Sequence, residues 1–427
     1  MKKLIYILLF LFPVVGFTQW TALSSGTTGN LSSIFFTDAN TGYAVGCTQN
    51  EQSLIIKTTD GGTTWNELSS GISGYAELYS IFMNNANTGY ITGWKGMKGR
   101  MLKTINGGRV WDSLSYGTHY ALYSVYFTDA NTGYAVGSQG TILKTNNGGA
   151  LWIDQSQTIY YDLNSVFFIN ADTGYAAGGT LEIQGYGPVF GGILKTTNGG
   201  NQWTVIASGE YILQSVYFTN ADTGYAVGMF WQKVNAGVFY EGTVILKTTN
   251  GGANWGTQIS GIPNQSSTYN NGFIDNLYSV YFTNVDTGYA VGDSGRIIKT
   301  TNGGINWIRQ TSGTTNTLNS VFFVGRNTGY IAGSNGTILK TTNGGFPSKP
   351  NSIKIYPNPS SDRVTIETSA ISTPSQLSIM NLNGEEVLTI NLLKPKTQID
   401  ISALPGGVYF VRLTNDKTVE VGKFVKQ

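Results

Sequence analysis

A block of sequence that recurs seven times constrains this chain more than any other feature. The first copy begins at Leu31 with Leu-Ser-Ser-Ile-Phe-Phe and runs to Gly46. Each copy is followed by a second block, which in the first copy reads Lys-Thr-Thr-Asp-Gly-Gly-Thr-Thr-Trp. The later copies begin at Leu78, Leu122, Leu163, Leu213, Leu277 and Leu318. A repeat of about 45 residues indicates an array of one supersecondary unit.

Each repeat contains four segments that have the composition of short β-strands. Strand A is the run Leu-x-Ser-Ile/Val-aromatic-Phe, strand B is Gly-Tyr-Ala-Val-Gly, strand C ends in Lys-Thr, and strand D carries the Trp. β-Branched and aromatic residues suit a half-buried pleated surface. The Asp/Asn-Gly-Gly sequence between strands C and D supplies the positive φ angles of a tight hairpin. Repeated four-stranded units predict an all-β fold, a β-propeller.

The seventh repeat is incomplete, because Phe346 and Pro347 follow its Gly-Gly where the other repeats continue to a Trp. The missing piece stands near the start of the chain, where Gln19–Gly26 mirrors Thr64–Gly71. The prediction is a seven-bladed β-propeller over residues 19–346, closed by a strand D from the mature N-terminus. Seven of the nine Trp then fall one per blade: Trp20, Trp65, Trp111, Trp152, Trp203, Trp255 and Trp307.

The Thr-x-Asp/Asn-Gly-Gly-x-x-Trp hairpins resemble Asp-box (BNR) repeats. Together with Thr-Gly-Tyr-Ala-Val-Gly they resemble the photosystem II assembly-factor-like propellers, which have seven blades. This resemblance implies the fold but leaves the function open, because one fold hosts many functions. Asx side chains hydrogen-bond turn backbones, so the box residues are interpreted as structural: Asp60, Asn106, Asn147, Asn198, Asn250, Asn302 and Asn343.

The first 18 residues are typical of a secretory signal peptide. Lys2 and Lys3 precede an apolar run, Leu4–Phe12, and the small residues Gly16 and Thr18 follow. The run is too short for a membrane-spanning helix, which needs about 20 residues. We therefore expect export, with cleavage after Thr18 and no transmembrane segment.

Residues 347–353 interrupt the pattern as a linker, and residues 354–427 read as a small β-sandwich. Ile355–Pro359, the Asn383-Gly384 turn, Leu404–Tyr409 and Lys423–Lys426 resemble the type A C-terminal sorting domain of type IX secretion in Bacteroidetes. The resemblance implies the type IX machinery as a partner, and a secreted or outer-surface location.

Several classes of function are disfavoured by composition. One cysteine (Cys47) and one histidine (His119) cannot make an internal disulfide or a Cys/His zinc cage. Without Lys2 and Lys3, 24 basic and 24 acidic residues balance, which disfavours nucleic-acid binding. Neither a metal nor a cofactor motif is present, and we expect a monomer.

The loops of the predicted propeller differ between its two faces. The A–B and C–D connections are nearly constant in length, whereas the B–C and D–A connections carry all insertions. Loops on a rigid scaffold commonly carry function, and aromatic anchors suit glycan or protein recognition. Eight aromatic residues in the insertions are the candidate ligand-binding residues: Trp94, Tyr186, Phe190, Phe230, Trp231, Tyr240, Tyr269 and Phe273. The equally open alternative is that these rings only pack the loops onto the blades.

A propeller glycoside hydrolase is the rival reading. Glu77 and Asp162 each directly precede a strand A, so both are expected at the edge of the central channel, where a carboxylate pair could act. A sialidase would need clustered arginines, which the repeats do not supply. We therefore favour a non-enzymatic secreted or surface propeller that binds a glycan or protein.

Overall fold

The computed structural model describes residues 19–427 except for 97, 116–118, 157–158, 160, 181–189, 236–237, 259–264, 269–275, 346–352, 369–374, 393 and 415–418. The chain divides into a compact unit Thr18–Phe346 and a second unit that contains Pro347–Gln427. The described elements are strands apart from one 3₁₀ turn, Ser138–Gly140. In this part of the chain there is no helix with the length and apolarity needed to span a bilayer.

The first unit contains seven described antiparallel sheets, here called sheets 1 to 7 after the repeat that supplies their strand A. Strands A are Asn30–Phe36, Glu77–Met83, Leu122–Phe127, Leu163–Phe168, Tyr211–Phe218, Leu277–Phe282 and Leu318–Phe323. Strands B are Gly42–Cys47, Gly89–Lys95, Gly133–Gly137, Gly174–Thr180, Gly224–Asn235, Gly288–Gly292 and Gly329–Gly333. Strands C are Ser53–Thr58, Lys98–Thr104, Ile142–Thr145, Phe190–Thr196, Val238–Thr248, Arg296–Thr300 and Ile338–Thr341.

Strands D are short: Asn66–Leu68, Asp112–Ser113, Ile153–Asp154, Thr204–Gly209, Gly256–Thr257, Ile308–Gln310 and, in sheet 7, Thr21–Leu23. The prediction that strand D carries the Trp is wrong in detail, because the Trp stands just before the strand in every sheet. That position leaves the indole in the core, where six of the seven rings meet the last Phe of strand A edge-on at 5.8–6.0 Å.

A bulge in strand A explains why the repeat motif of strand B ends in glycine. The register of strand A shifts between its Leu and its Ser in all seven sheets, as between Leu31 and Ser33 in sheet 1. At Gly46 a Cβ would lie 1.8 Å from the carbonyl oxygen of Asn30. Only glycine allows the bulged backbone to approach that closely.

The Asp/Asn-Gly-Gly hairpins have the same hydrogen bonds in sheet after sheet. The Asp60 Oδ1 accepts hydrogen bonds from the Thr58 hydroxyl and from the Thr64 N–H, at 2.8 and 2.9 Å. Asn106 makes the equivalent pair with Thr104 and Val110. Both glycines of each turn have positive φ, which is the conformation that the turn requires.

A hydrogen bond joins each strand A to the strand A of the next sheet. The Ser Oγ in one strand A accepts the N–H of the following repeat's Ile or Val, at 3.2–3.4 Å. The series includes Ile34 of sheet 1, which donates to Ser320 of sheet 7. Each strand A therefore has a strand A neighbour on both sides.

The N-terminal strand Thr21–Leu23 pairs with strand C of sheet 7 in the register Thr21↔Lys340 to Leu23↔Ile338. Trp20, just before it, is 1% exposed and packs edge-on against Tyr289 of sheet 6 and Phe323 of sheet 7. Its indole N–H donates to the Gln310 Oε1 at 2.9 Å. Trp20 is thus buried between sheets 6 and 7.

The long B–C insertion of the fifth repeat forms additional strand, where a loop was predicted. Gly224–Asn235 and Val238–Thr248 pair as one long hairpin as far as Asn235↔Val238. Gln265–Thr268, from the long D–A connection, pairs with Val238–Glu241 at its edge. Continuous antiparallel pairing satisfies the backbone of an insertion this long.

The second unit is a β-sandwich, with strands Ile353–Tyr356, Arg363–Thr368 and Lys396–Asp400 in one sheet and Ser375–Met380, Glu386–Leu392, Gly407–Thr414 and Val419–Lys426 in the other. Val364 and Ile366 from the first sheet share a core with Ile379 and Phe424 from the second. The Asn383-Gly384 turn joins two paired strands, with Gly384 at φ +83°.

Candidate functional site

The face with the B–C and D–A connections is the candidate site, and Trp94 is its best-described aromatic residue. Trp94 lies in strand B of sheet 2, directly opposite Glu77 of strand A. Its half-buried ring meets the exposed Tyr75 ring edge-on at 5.4 Å. Two aromatic surfaces and a carboxylate therefore lie side by side where strand A of sheet 2 begins.

A second group of aromatic residues lies where sheets 4 and 5 adjoin. Phe190 begins strand C of sheet 4 and is 48% exposed, with its ring 5.7 Å from that of buried Tyr161. A Cβ on the next residue, Gly191, would lie 2.2 Å from the Tyr211 carbonyl of sheet 5. Tyr211 is paired with half-buried Phe230. The end of the fourth insertion and the beginning of the fifth are therefore adjacent.

The remaining candidates are only partly placed. Trp231 and Tyr240 lie on the long hairpin of sheet 5, opposite Glu241 and Gln232 respectively. Tyr186, Tyr269 and Phe273 lie outside the described residues. No described ring contact joins Trp94 to Phe190, which lie on different sheets.

Glu77 and Asp162 are each hydrogen-bonded to a tyrosine. The Tyr79 hydroxyl donates to the Glu77 Oε2 at 2.7 Å, and the Tyr123 hydroxyl donates to the Asp162 Oδ2 at 3.5 Å. Asp162 Oδ1 also accepts the N–H of Gln139 at 2.9 Å. The Tyr79 and Tyr123 rings are 5.3 Å apart, so a tyrosine pair links the two carboxylates.

The electrostatics of this group keep both phenols protonated. Burial and the hydrogen-bonded Glu77 carboxylate raise the pKa of Tyr79 far above its usual range. Burial, with the nearby Asp162 and Glu77 charges, raises the pKa of Tyr123. A protonated phenol is a hydrogen-bond donor, so each tyrosine holds its carboxylate as an acceptor.

A ring of seven aromatic side chains lines the centre of the first unit, and the sequence prediction did not assign it a role. They occupy the position before the last residue of each strand A: Phe35, Phe82, Tyr126, Phe167, Tyr217, Tyr281 and Phe322. Successive centroids are 4.8–5.6 Å apart, and Phe322 meets Phe35, so the ring has no gap. We call it the aromatic belt. The aromatic residue that recurs at one position in every repeat was the signal for it.

Two clefts on the same face were also missed. One, of about 690 Å³, lies between Leu23–Gly29 and Thr48–Asn50. The other is lined by Arg309–Thr315. Both contain the sequence Ser-Gly-Thr-Thr of a D–A connection, at residues 25–28 and 312–315, and that shared motif could have indicated them.

Cysteine and histidine, residue types that ligate metals and act as nucleophiles, are sparse in the first unit. Among the described residues no group of three or more His, Cys, Asp or Glu side chains is placed to hold a metal ion. Cys47 is buried, and burial with the nearby Glu77 and Glu51 charges raises the pKa of its thiol. His119 is exposed. The described carboxylates, hydroxyls and aromatic rings thus suit binding by hydrogen bonds and ring contacts.

Comparisons with solved structures place the fold among propellers. "YCF48 bound to D1 peptide" is similar with a TM-score of 0.55 at 17% identity, covering 76% of this chain and 97% of that one. YCF48 from Cyanidioschyzon merolae gives 0.55 at 19% identity, covering 75% and 98%. PorZ, a bacterial surface component of the type IX secretion system of Porphyromonas gingivalis, gives 0.51 at 11% identity, covering 91% and 58%. No curated protein matches the chain.

Family models match nearly the whole chain. The model of the secretion system C-terminal sorting domain matches residues 354–427. The model of photosynthesis system II assembly factor YCF48 matches residues 13–121, 109–268 and 264–358. Both resemblances drawn from the repeats and from the tail are confirmed. The chain therefore belongs to the family of the photosynthesis system II assembly factor YCF48, and it ends in a secretion system C-terminal sorting domain.

Proposed function

We propose that this protein is a secreted or cell-surface binding protein without catalytic activity, exported by type IX secretion, that holds a glycan or a protein on one face of a propeller. Its sorting domain supports export. In this proposal residues 1–18 are a signal peptide, the machinery of type IX secretion acts on residues 354–427, and the mature protein is a monomer.

The scaffold in this proposal is a closed seven-bladed propeller. It is supported by the unbroken series of Ser to N–H bonds between strands A, by the pairing of Thr21–Leu23 with sheet 7, and by the aromatic belt. A rigid ring holds its loops at fixed positions, which reduces the entropy lost on binding.

The observation that carries the binding function is the asymmetry between the two faces. The C–D hairpins are built alike from sheet to sheet, whereas insertions, exposed Phe190 and the Trp94–Tyr75 pair lie on the other face. Exposed aromatic rings beside polar groups suit glycans and proteins. We propose Trp94, Phe190, Phe230, Trp231 and Tyr240 as contact residues, together with Tyr186, Tyr269 and Phe273.

A glycan array, followed by a screen of extracellular proteins, tests the proposal with the mature chain. For a ligand found there, Phe190→Ala and Trp231→Ala are each expected to weaken binding by about 2 kcal/mol or more, the scale of interface hot spots. The melting temperature should hardly change, because these residues belong to insertions that the repeat motif lacks. Trp203→Ala, which removes a buried repeat residue, is the control and should lower stability instead. Unfolding by Trp231→Ala would show that the ring only packs the hairpin.

A glycoside hydrolase remains the second candidate, supported by the tyrosine pair that links Glu77 and Asp162. Turnover of a polysaccharide by the mature chain, abolished by Glu77→Gln or Asp162→Asn, would establish it in place of the binding function.

A further inference from the structure

The aromatic belt encircles the centre of the first unit without a gap between neighbouring rings. Neighbouring rings of the aromatic belt lie within the distance range of favourable aromatic pairs. Three of its tyrosines, Tyr126, Tyr217 and Tyr281, also donate to the carbonyl of the last strand A residue in the next sheet at 3.0–3.1 Å. The belt is therefore held in place by hydrogen bonds as well as by ring contacts.

Between the aromatic belt and the B–C and D–A face, the channel is lined by the residue after the first Leu of each strand A. We call these residues the wall. These half-buried residues are Ser32, Tyr79, Tyr123, Asn164, Gln214, Tyr278 and Asn319. Asn164 and Asn319 are fixed by donating to the carbonyls of Leu213 and Leu31, each at 2.9 Å. The rings of Tyr79 and Tyr123 adjoin on sheets 2 and 3, and the fixed amide of Asn164 follows on sheet 4.

The charges beside the tyrosine pair come from two carboxylates, Glu77 and Asp162. Within the described part of the chain, neither Glu77 nor Asp162 has a Lys or Arg nitrogen within 4.0 Å. Among the described residues, tyrosine hydroxyls donate hydrogen bonds to both carboxylates, and the Gln139 N–H also donates to Asp162. Negative charge at the edge of an aromatic cup is the arrangement that complements a cation, because ring faces and carboxylates both attract it.

We propose that this cup, formed by Tyr79, Tyr123, Glu77 and Asp162 above the aromatic belt, binds the cationic side chain of a lysine or arginine presented by a protein ligand. The inference rests on the proposed binding function and specifies its ligand. A cup enclosed on all sides by strands A admits the end of one protruding side chain, whereas a glycan chain would need an open groove. In this proposal the faces of Tyr79 and Tyr123 contact the alkyl stem and the cationic group of the ligand side chain. The two carboxylates pair with that cationic group.

The experiment uses the mature chain and two probes that differ in one charge. They are Nα-acetyl-lysine methylamide and its Nε-acetylated, neutral form. Titration followed by NMR at low salt should give saturable millimolar binding of the charged probe and at least tenfold weaker binding of the neutral one. The affinity for the charged probe should fall as salt is added.

Variants locate the binding. Glu77→Gln and Asp162→Asn should each weaken binding of the charged probe at least fivefold, and Glu67→Gln, an exposed carboxylate on strand D of sheet 1, should leave it unchanged. Equal affinity for both probes, no saturation, or the same loss in all three variants would overturn the inference. So would binding of a glucosamine oligomer in preference to the lysine probe.

The outcome separates this inference from the proposed function. If a glycan or protein found in the screens depends on Phe190 and Trp231 while the lysine probe does not bind, the cup inference fails and the binding function stands. If neither screen yields a ligand and the probe does not bind, both fail.

Discussion

The tyrosine of each strand B joins two repeats through a single hydroxyl. Each of the seven is fully buried, and each donates to the carbonyl of the first turn glycine in the next repeat at 2.7–3.0 Å. In six repeats the Lys of strand C donates to the same oxygen, whereas Lys144 donates to the Asn201 Oδ1 at 3.4 Å. One carbonyl thus accepts two donors, and the bond links sheet to sheet.

These tyrosines predict how stability depends on alkaline pH. Burial raises the pKa of Tyr90, Tyr134, Tyr175, Tyr225 and Tyr330 to about 12, from an ordinary value of 10.0. The unfolded chain loses these protons first, so the stabilisation is complete below pH 10 and is lost as pH rises toward 12. Denaturant unfolding at several pH values should show the free energy of unfolding falling over that window.

Ultraviolet absorbance provides the independent check on that prediction. In the folded protein this group of phenols should ionise later than in the protein unfolded by guanidinium. Ionisation of all tyrosines near pH 10 in the folded protein would contradict the argument.

At the scale of the elements, the bulge in strand A explains why the second glycine of strand B recurs in every repeat. A Cβ on the second glycine of strand B would meet the carbonyl of the residue before the repeat's Leu in each strand A, for example Gly137 against Ala121 and Gly228 against Ile212. The bulge in turn places the Ser that binds the neighbouring strand A. A local irregularity in one strand is therefore part of the contact between sheets.

Gly46→Ala tests this dependence. The added Cβ would lie 1.8 Å from a backbone oxygen, and since backbone cannot move aside without breaking the pairing, a loss of stability of about 2 kcal/mol or more is expected. Gly256→Ala is the matched control in a strand D, because no atom lies within 4 Å of its added Cβ. Thermal unfolding of both variants measures the difference, and equal melting temperatures would refute the steric account.

At the scale of the whole molecule, the two ends of the repeat array are brought together in one sheet. Trp20 lies among Val291 of sheet 6 and Leu318 and Leu339 of sheet 7. Gln310 accepts the indole N–H, and its own amide donates to the Gly345 carbonyl. Residues far apart in sequence are thus joined by one buried contact.

Trp20→Ala should destabilise the protein by roughly 3–5 kcal/mol, as expected for a buried aromatic side chain. Denaturant unfolding measures the effect. Trp94→Ala serves as the comparison, because that ring is only half-buried and should cost less. A change below about 1 kcal/mol at Trp20 would show that the N-terminal segment does not hold sheet 7 in place.

Deletion of residues 354–427 tests export. Since the repeats have their own core and the sorting domain has another, the truncated protein should fold but remain in the periplasm. Protease accessibility on intact cells and fractionation distinguish the two locations. Normal surface display of the truncated protein would refute the role of this domain in sorting.

The sequence by itself determined the repeat, the strand order within a repeat, the turn glycines and the C-terminal sandwich, because these depend on local pairing and on residues that recur at fixed spacing. The mirrored Gln19–Gly26 segment also predicted the pairing of the N-terminal strand. Only the tertiary structure decided which residues of different repeats contact one another. The aromatic belt, the Ser bonds between strands A and the tyrosine pair between Glu77 and Asp162 join residues from different repeats. Each repeat carries the same pattern, so the sequence of one repeat does not determine which of its residues touch the next repeat. Those contacts follow from how neighbouring sheets pack.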